Sequence, residues 1–210
     1  MPTKTEEEIQ LRNIYIESVY KGDKQANNGN IKEALVLFSK AAKNLPNHWG
    51  SYLRMGRAYD AQLDFKTANK FYKKVLKLNP YHFESYRKLG KNSFRLGQFD
   101  VAELYLKKSI ELNPRDKKSF HHLAILFTEQ KRTKDAKKMF EVSLTLDPNY
   151  KNAHLNFAIF FSLLEQKHKA ILHLKEAARL GVKEDRIKKL ARQFQLPFNK
   201  YNKSLLSGKS

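Results

Sequence analysis

Residues 49–82 read WGSYLRMGRAYDAQLDFKTANKFYKKVLKLNPYH. The stretch divides into two amphipathic helices joined by a short turn. Pro80 stops the second, because proline cannot donate the helical hydrogen bond. Its landmarks return along the whole chain. Ala68 belongs to the row Ala34, Ala68, Ala102, Ala136 and Ala170, and Pro80 to the row Pro46, Pro80, Pro114 and Pro148. Gly56 belongs to Gly22, Gly56, Gly90, Ala124 and Ala158, which are always small. Tyr72 belongs to Phe38, Tyr72, Leu106, Phe140 and Leu174, which are always large and apolar. Every step in these four rows is ~34 residues, the mark of one supersecondary unit repeated in tandem.

The rows have a physical reading. The small residue of the first helix and the alanine of the second sit where two helix axes approach most closely, and a larger side chain would push them apart. The large apolar residue lies one turn beyond the alanine on the same face and fills the space between hairpins.

Trp49, Met55, Gly56, Tyr59, Ala68, Tyr72 and Pro80 resemble the tetratricopeptide consensus in order and spacing. The resemblance implies an all-α fold, a right-handed α-solenoid of helical hairpins. Five repeats are expected at 15–48, 49–82, 83–116, 117–150 and 151–184, with 1–14 extending the first helix. A capping helix is expected over 185–196 and a basic flexible tail over 197–210. Departures fall mainly at the ends. Ser18, Lys21 and Gln25 replace large apolar residues in the first repeat, whose first helix is expected to act mainly as a cap. Ser93 stands at a usual aromatic position, and Val182 replaces the fifth proline, with Gly181 as a C-cap.

Composition narrows the chemistry. The 210-residue chain has no cysteine, which excludes disulfides, thiolate metal sites and a cysteine nucleophile. No secretory signal or membrane-length apolar run is visible, so a soluble cytoplasmic protein is expected. The phosphate-binding and nucleophile-elbow motifs GxxxxGK[ST], GxGxxG and GxSxG do not occur, and no enzyme activity or cofactor is expected. His121 and His122 are adjacent and diverge by about 100° on a helix, which does not suit a shared metal; no metal site is expected. The net charge of +20 favours acidic partners, and it is equally the consequence of a Lys- and Asn-rich composition.

The resemblance further implies a concave groove lined by the first helix of each hairpin. Carried onto this chain, the groove positions include Arg54, Arg57, Arg87, Lys88, Lys91, Arg95 and Lys118, against the acids Asp60, Glu84 and Glu129. Beyond them come His121, His122, Asn152 and Asn156 among apolar neighbours. Such a surface suits an acidic, extended peptide: cations meet carboxylates, Asn152 and Asn156 bond its main chain, and the two histidines confer pH sensitivity near neutrality. The set of Lys, Asn and Arg that the family uses to clamp a terminal carboxylate pair is not reproduced. A non-enzymatic scaffold or adaptor is therefore expected. A basic surface for nucleic acid or an anionic interface is the alternative. The lysines of the second helices, among them Lys70, Lys73, Lys74, Lys77, Lys107, Lys108, Lys137 and Lys138, read most simply as a solvated face. The partner's identity and the oligomeric state are not legible.

Overall fold

The computed structural model describes residues 3–196, so the expected tail at 197–210 lies outside the described residues. Among these the protein is all-α and folds as eleven helices packed in sequential hairpins, with no strands. It forms two compact units, Met1–Pro114 and Arg115–Ser210. The first holds α1 (Lys4–Asn27), α2 (Ile31–Asn44), α3 (Trp49–Ala61), α4 (Phe65–Leu78), α5 (Phe83–Arg95) and α6 (Phe99–Leu112). The second holds α7 (Lys117–Glu129), α8 (Thr133–Leu146), α9 (Lys151–Leu163), α10 (Lys167–Arg179) and α11 (Glu184–Gln193). Each odd helix through α9 pairs with the next even one, α2 and α4 also pack on the hairpin that follows, and α11 lies against α10.

Local chemistry sets the helix starts. Thr3 and Glu6 form a capping box at α1, Asp64 accepts from the Thr67 amide at 3.0 Å, and His82 accepts from the Ser85 amide at 3.2 Å. The turn inside each hairpin needs one residue in the left-handed region, and it recurs with the repeat: Gly29 (φ 85°), Leu63 (61°), Gly97 (74°), Lys131 (59°) and Glu165 (58°). Only two of these five are glycine, so the other three turns are held by the packing of the flanking helices against a backbone cost. Where the second helix ends, Ser109 Oγ donates to the Phe83 carbonyl and Ser143 Oγ to the Lys117 carbonyl, both at 2.9 Å. Each serine ties the far end of its hairpin to the start.

The core is the small-large pairing repeated. An added Cβ at Gly22 would lie 2.5 Å from Phe38, at Gly56 2.6 Å from Tyr72, and at Gly90 2.6 Å from Leu106. Glycine is thus the space into which the large residue of the partner helix packs. Ala34, Ala68, Ala102, Ala136 and Ala170 are wholly buried. In the second unit Phe140, Phe157, Phe160 and Phe161 stack into an aromatic cluster, with Phe140 and Phe157 centroids 4.8 Å apart. The first hairpin is regular although its sequence departs from the repeat. Despite Ser18, Lys21 and Gln25, α1 is a complete helix of 24 residues, and Ser18 is buried in its packing face.

Candidate functional site

The face of the first unit formed by α1, α3 and α5 carries six of the candidate residues. Arg54 donates through Nε to both oxygens of Asp23, 2.9 Å each, joining α3 to α1. Arg57 donates through Nη2 to both oxygens of Glu84, 2.8 Å each, joining α3 to α5. Arg87, itself mostly buried, lies 3.7 Å from the same carboxylate. Burial pushes the Glu84 carboxyl up, but the bonds and charge of Arg57, with Arg87 and Lys88 behind them, hold it below the ordinary range.

Asp60 is the hub beneath these pairs. It accepts from Tyr72 Oη at 2.9 Å, Asn92 Nδ2 at 2.5 Å and Lys88 Nζ at 3.3 Å. Burial, then the Asp60 charge, raises the Tyr72 phenol far above its ordinary range, so it remains a donor. Burial lowers the Lys88 ammonium, and Asp60 opposes the shift. The Tyr72 bond lies within one hairpin, whereas Lys88 and Asn92 reach Asp60 from 28 and 32 residues away, in the next one. A cavity of about 420 Å³ opens beside them, edged by Asp23, Asn27, Arg54, Arg57 and Ala61. Lys91 and Arg95 continue the stripe of Glu84 and Lys88 along α5, and among the described residues neither has a carboxylate within ion-pair distance. Counting cations against acids along the sequence therefore overstated the free charge: Arg54, Arg57 and Lys88 are already paired within the protein.

In the second unit Lys118 and Asn152 are exposed, His122 and Asn156 are half-buried, and His121 is buried. Asn156 Nδ2 donates to the Asn152 carbonyl at 3.0 Å and faces His121 Nε2 at 2.8 Å. That bond assigns the ring proton of His121 to Nδ1. Burial depresses the His121 imidazole to about 4. The expected titration of His121 near neutrality is therefore overturned: its ring lies under the surface and remains neutral at physiological pH. Asn156 spends its amide hydrogens on the fold, which leaves its carbonyl oxygen to meet a ligand. A pocket of about 470 Å³ lies nearby, between Thr128, Glu129, Lys131, Phe160 and Leu163.

One polar pair was not anticipated. His154 Nδ1 and His173 Nδ1 are 3.0 Å apart, and His154 Nε2 is 2.9 Å from the Pro148 carbonyl. The carbonyl can only accept, so His154 carries its proton on Nε2 and His173 donates through Nδ1. Burial, then the neighbouring His154, depresses His173 to about 4. The signal was present in the repeat: these positions correspond to Tyr86 and Tyr105, whose rings also meet, with centroids 6.2 Å apart. Among the described residues no three His, Asp or Glu side chains gather as a metal site. Nor is any described helix long and apolar enough to cross a membrane.

The family model of the tetratricopeptide repeat matches residues 50–82 and 83–116, the heart of the paired face. Residues 50–116 of the chain are tetratricopeptide repeats. Solved structures agree with that fold. PilF of Pseudomonas aeruginosa is 19% identical, with 95% of each chain covered and a TM-score of 0.75. TTC0263, a thermophilic tetratricopeptide protein of Thermus thermophilus, is 16% identical over 87% of this chain and 99% of its own, with a TM-score of 0.74. YrrB, a tetratricopeptide protein with an unusual peptide-binding site, is 19% identical over 83% of this chain and 90% of its own, with a TM-score of 0.61. No curated protein matches this tetratricopeptide chain in sequence.

Proposed function

We propose that this protein is a non-enzymatic scaffold that binds an extended, acidic peptide on the first-helix face of its repeats. Tetratricopeptide proteins generally mediate protein–protein interactions. The carrying observation for the acidic preference is the split among the cations. Arg54, Arg57 and Lys88 are held by Asp23, Glu84 and Asp60, whereas among the described residues Lys91 and Arg95 are left without a carboxylate on the same face of α5. The paired cations build a rigid floor, and the other two supply the attraction. Lys118, Asn152 and the carbonyl of Asn156 offer further polar contacts in the second unit.

The test is a fluorescence-anisotropy titration of the full chain with extended peptides that differ only in Asp/Glu content. Binding is expected to rise with peptide acidity and to fall at least about tenfold in Lys91→Glu/Arg95→Glu, because each reversal replaces an attraction with a repulsion. Equal affinity for acidic and neutral peptides, or an unaffected double variant, refutes the acidic-groove reading.

A further inference from the structure

The outer helix α4 has a feature that peptide binding on the opposite helices leaves unused. Its sequence, FKTANKFYKKVLKL, contains lysines at 66, 70, 73, 74 and 77 and no carboxylate. Lys66, Lys70, Lys73 and Lys77 follow the i, i+4, i+7, i+11 spacing, which places them on one straight ridge about 16 Å long. All four are exposed, and among the described residues none has a carboxylate within ion-pair distance. Lys74 is set apart by its ammonium, 5.5 Å from the Tyr52 ring.

In α6 the four ridge positions become Asp100, Leu104, Lys107 and Glu111, and Lys107 pairs with Glu103 at 2.7 Å, while Lys108, the counterpart of Lys74, pairs with Glu111 at 2.6 Å. Like charges one turn apart destabilise a helix, and although the Asp64 carboxylate at the N-cap acts on Lys70, the ridge keeps a repulsion that an external anion would relieve. Exposed apolar side chains occur on the other even-numbered helices of this unit. Val36 of α2 and Leu104 of α6 occupy the same repeat position as Lys70, one repeat before and one after. They are 70% and 67% exposed. Tyr81, 79% exposed, stands in the turn just beyond the end of α4.

We propose that this outer face of the first unit docks on an anionic lipid surface. The lysines meet headgroup phosphates, while Val36, Leu104 and Tyr81 enter the interfacial layer. Lysine is a point charge on a flexible stem and suits mobile headgroups, and the ridge contains no arginine to grip phosphate in a bidentate fork. A phosphodiester backbone would give the exposed Val36 and Leu104 nothing to contact, which favours lipid over nucleic acid.

The test is co-sedimentation of the full chain with vesicles of phosphatidylcholine alone, or of phosphatidylcholine and phosphatidylglycerol in equal parts. Binding is expected only to the anionic vesicles and is expected to weaken as salt rises. Lys66→Glu/Lys70→Glu/Lys73→Glu/Lys77→Glu is expected to lower affinity at least about tenfold. Val36→Ser/Leu104→Ser should weaken it as well, and Lys91→Glu/Arg95→Glu should leave it unchanged, which separates this face from the peptide groove. Far-ultraviolet circular dichroism checks that the exposed substitutions preserve the fold. Equal binding to both vesicle types, or full binding by the four-lysine variant, overturns the proposal. So does a Val36→Ser/Leu104→Ser variant that binds like the parent while the ridge retains duplex DNA in a gel shift.

Discussion

Replacing Gly56 with alanine sets helix propensity against packing, and the geometry decides the sign. In a solvated helix the change stabilises by about 1 kcal/mol, because glycine loses more backbone freedom on folding. Here the new Cβ would stand 2.6 Å from Cε1, 2.9 Å from Cδ1 and 3.0 Å from Cζ of Tyr72. Optimal carbon–carbon contact is ~3.5–4.0 Å, so the ring must retreat by roughly 1 Å. It has little room to do so. Tyr72 is wholly buried, and its hydroxyl is held 2.9 Å from Asp60, which also anchors Asn92 and Lys88. Overpacking of such a site costs about 1–3 kcal/mol, which outweighs the propensity gain and leaves a net loss of roughly 1 kcal/mol. Urea denaturation followed by circular dichroism measures it. A second variant, Gly56→Ala/Tyr72→Leu, adopts the combination found at Ala158 and Leu174. It should be destabilised by about 1 kcal/mol less than the sum of the two single changes, since the smaller side chain relieves the clash. A Gly56→Ala protein more stable than its parent by about 1 kcal/mol would refute the reasoning, because propensity alone would then govern the site.

Two further predictions concern backbone and protonation. Leu63 is 72% exposed with φ at 61°, so Leu63→Gly should raise stability by about 0.5–1 kcal/mol; a lower melting temperature in calorimetry counts against the strain. His121 and His173 are depressed from 6.5 to about 4, so between those values the unfolded chain binds protons that the folded one does not. Stability from these rings is fully present above pH 6.5 and is lost as pH falls towards 4, so the urea midpoint should drop across that window. A His121→Asn/His173→Asn variant should show a shallower drop, and an equally steep one would assign the loss to other groups.

Much of the fold was legible because a repeat writes its packing rules several times. A single glycine such as Gly56 says little. Three glycines and two alanines at one interval, each opposite a large apolar residue, specify a close helix crossing. Gly181, read as a C-cap, has φ 82°, and among the turns inside the hairpins only those at Gly29 and Gly97 carry the residue that favours a left-handed backbone. At Leu63, Lys131 and Glu165 the side chain gives no sign of the conformation, because tertiary packing overrides local preference.

The positions expected to face a groove follow from register, but their state does not. Arg57 and Glu84 are 27 residues apart, and whether they neutralise one another depends on the stagger of α3 against α5. The histidines follow the same logic: His121 reads as an exposed titrating group until the packing around Asn156 and Tyr150 buries it. The sequence by itself determined the period, the hairpins and the small-large pairing, since these follow from helix geometry and side-chain size within one repeat. Only the tertiary structure decided which cations remain free, which imidazoles stay neutral and that His154 meets His173. Charge and protonation depend on distances and burial between segments that the chain brings together only on folding.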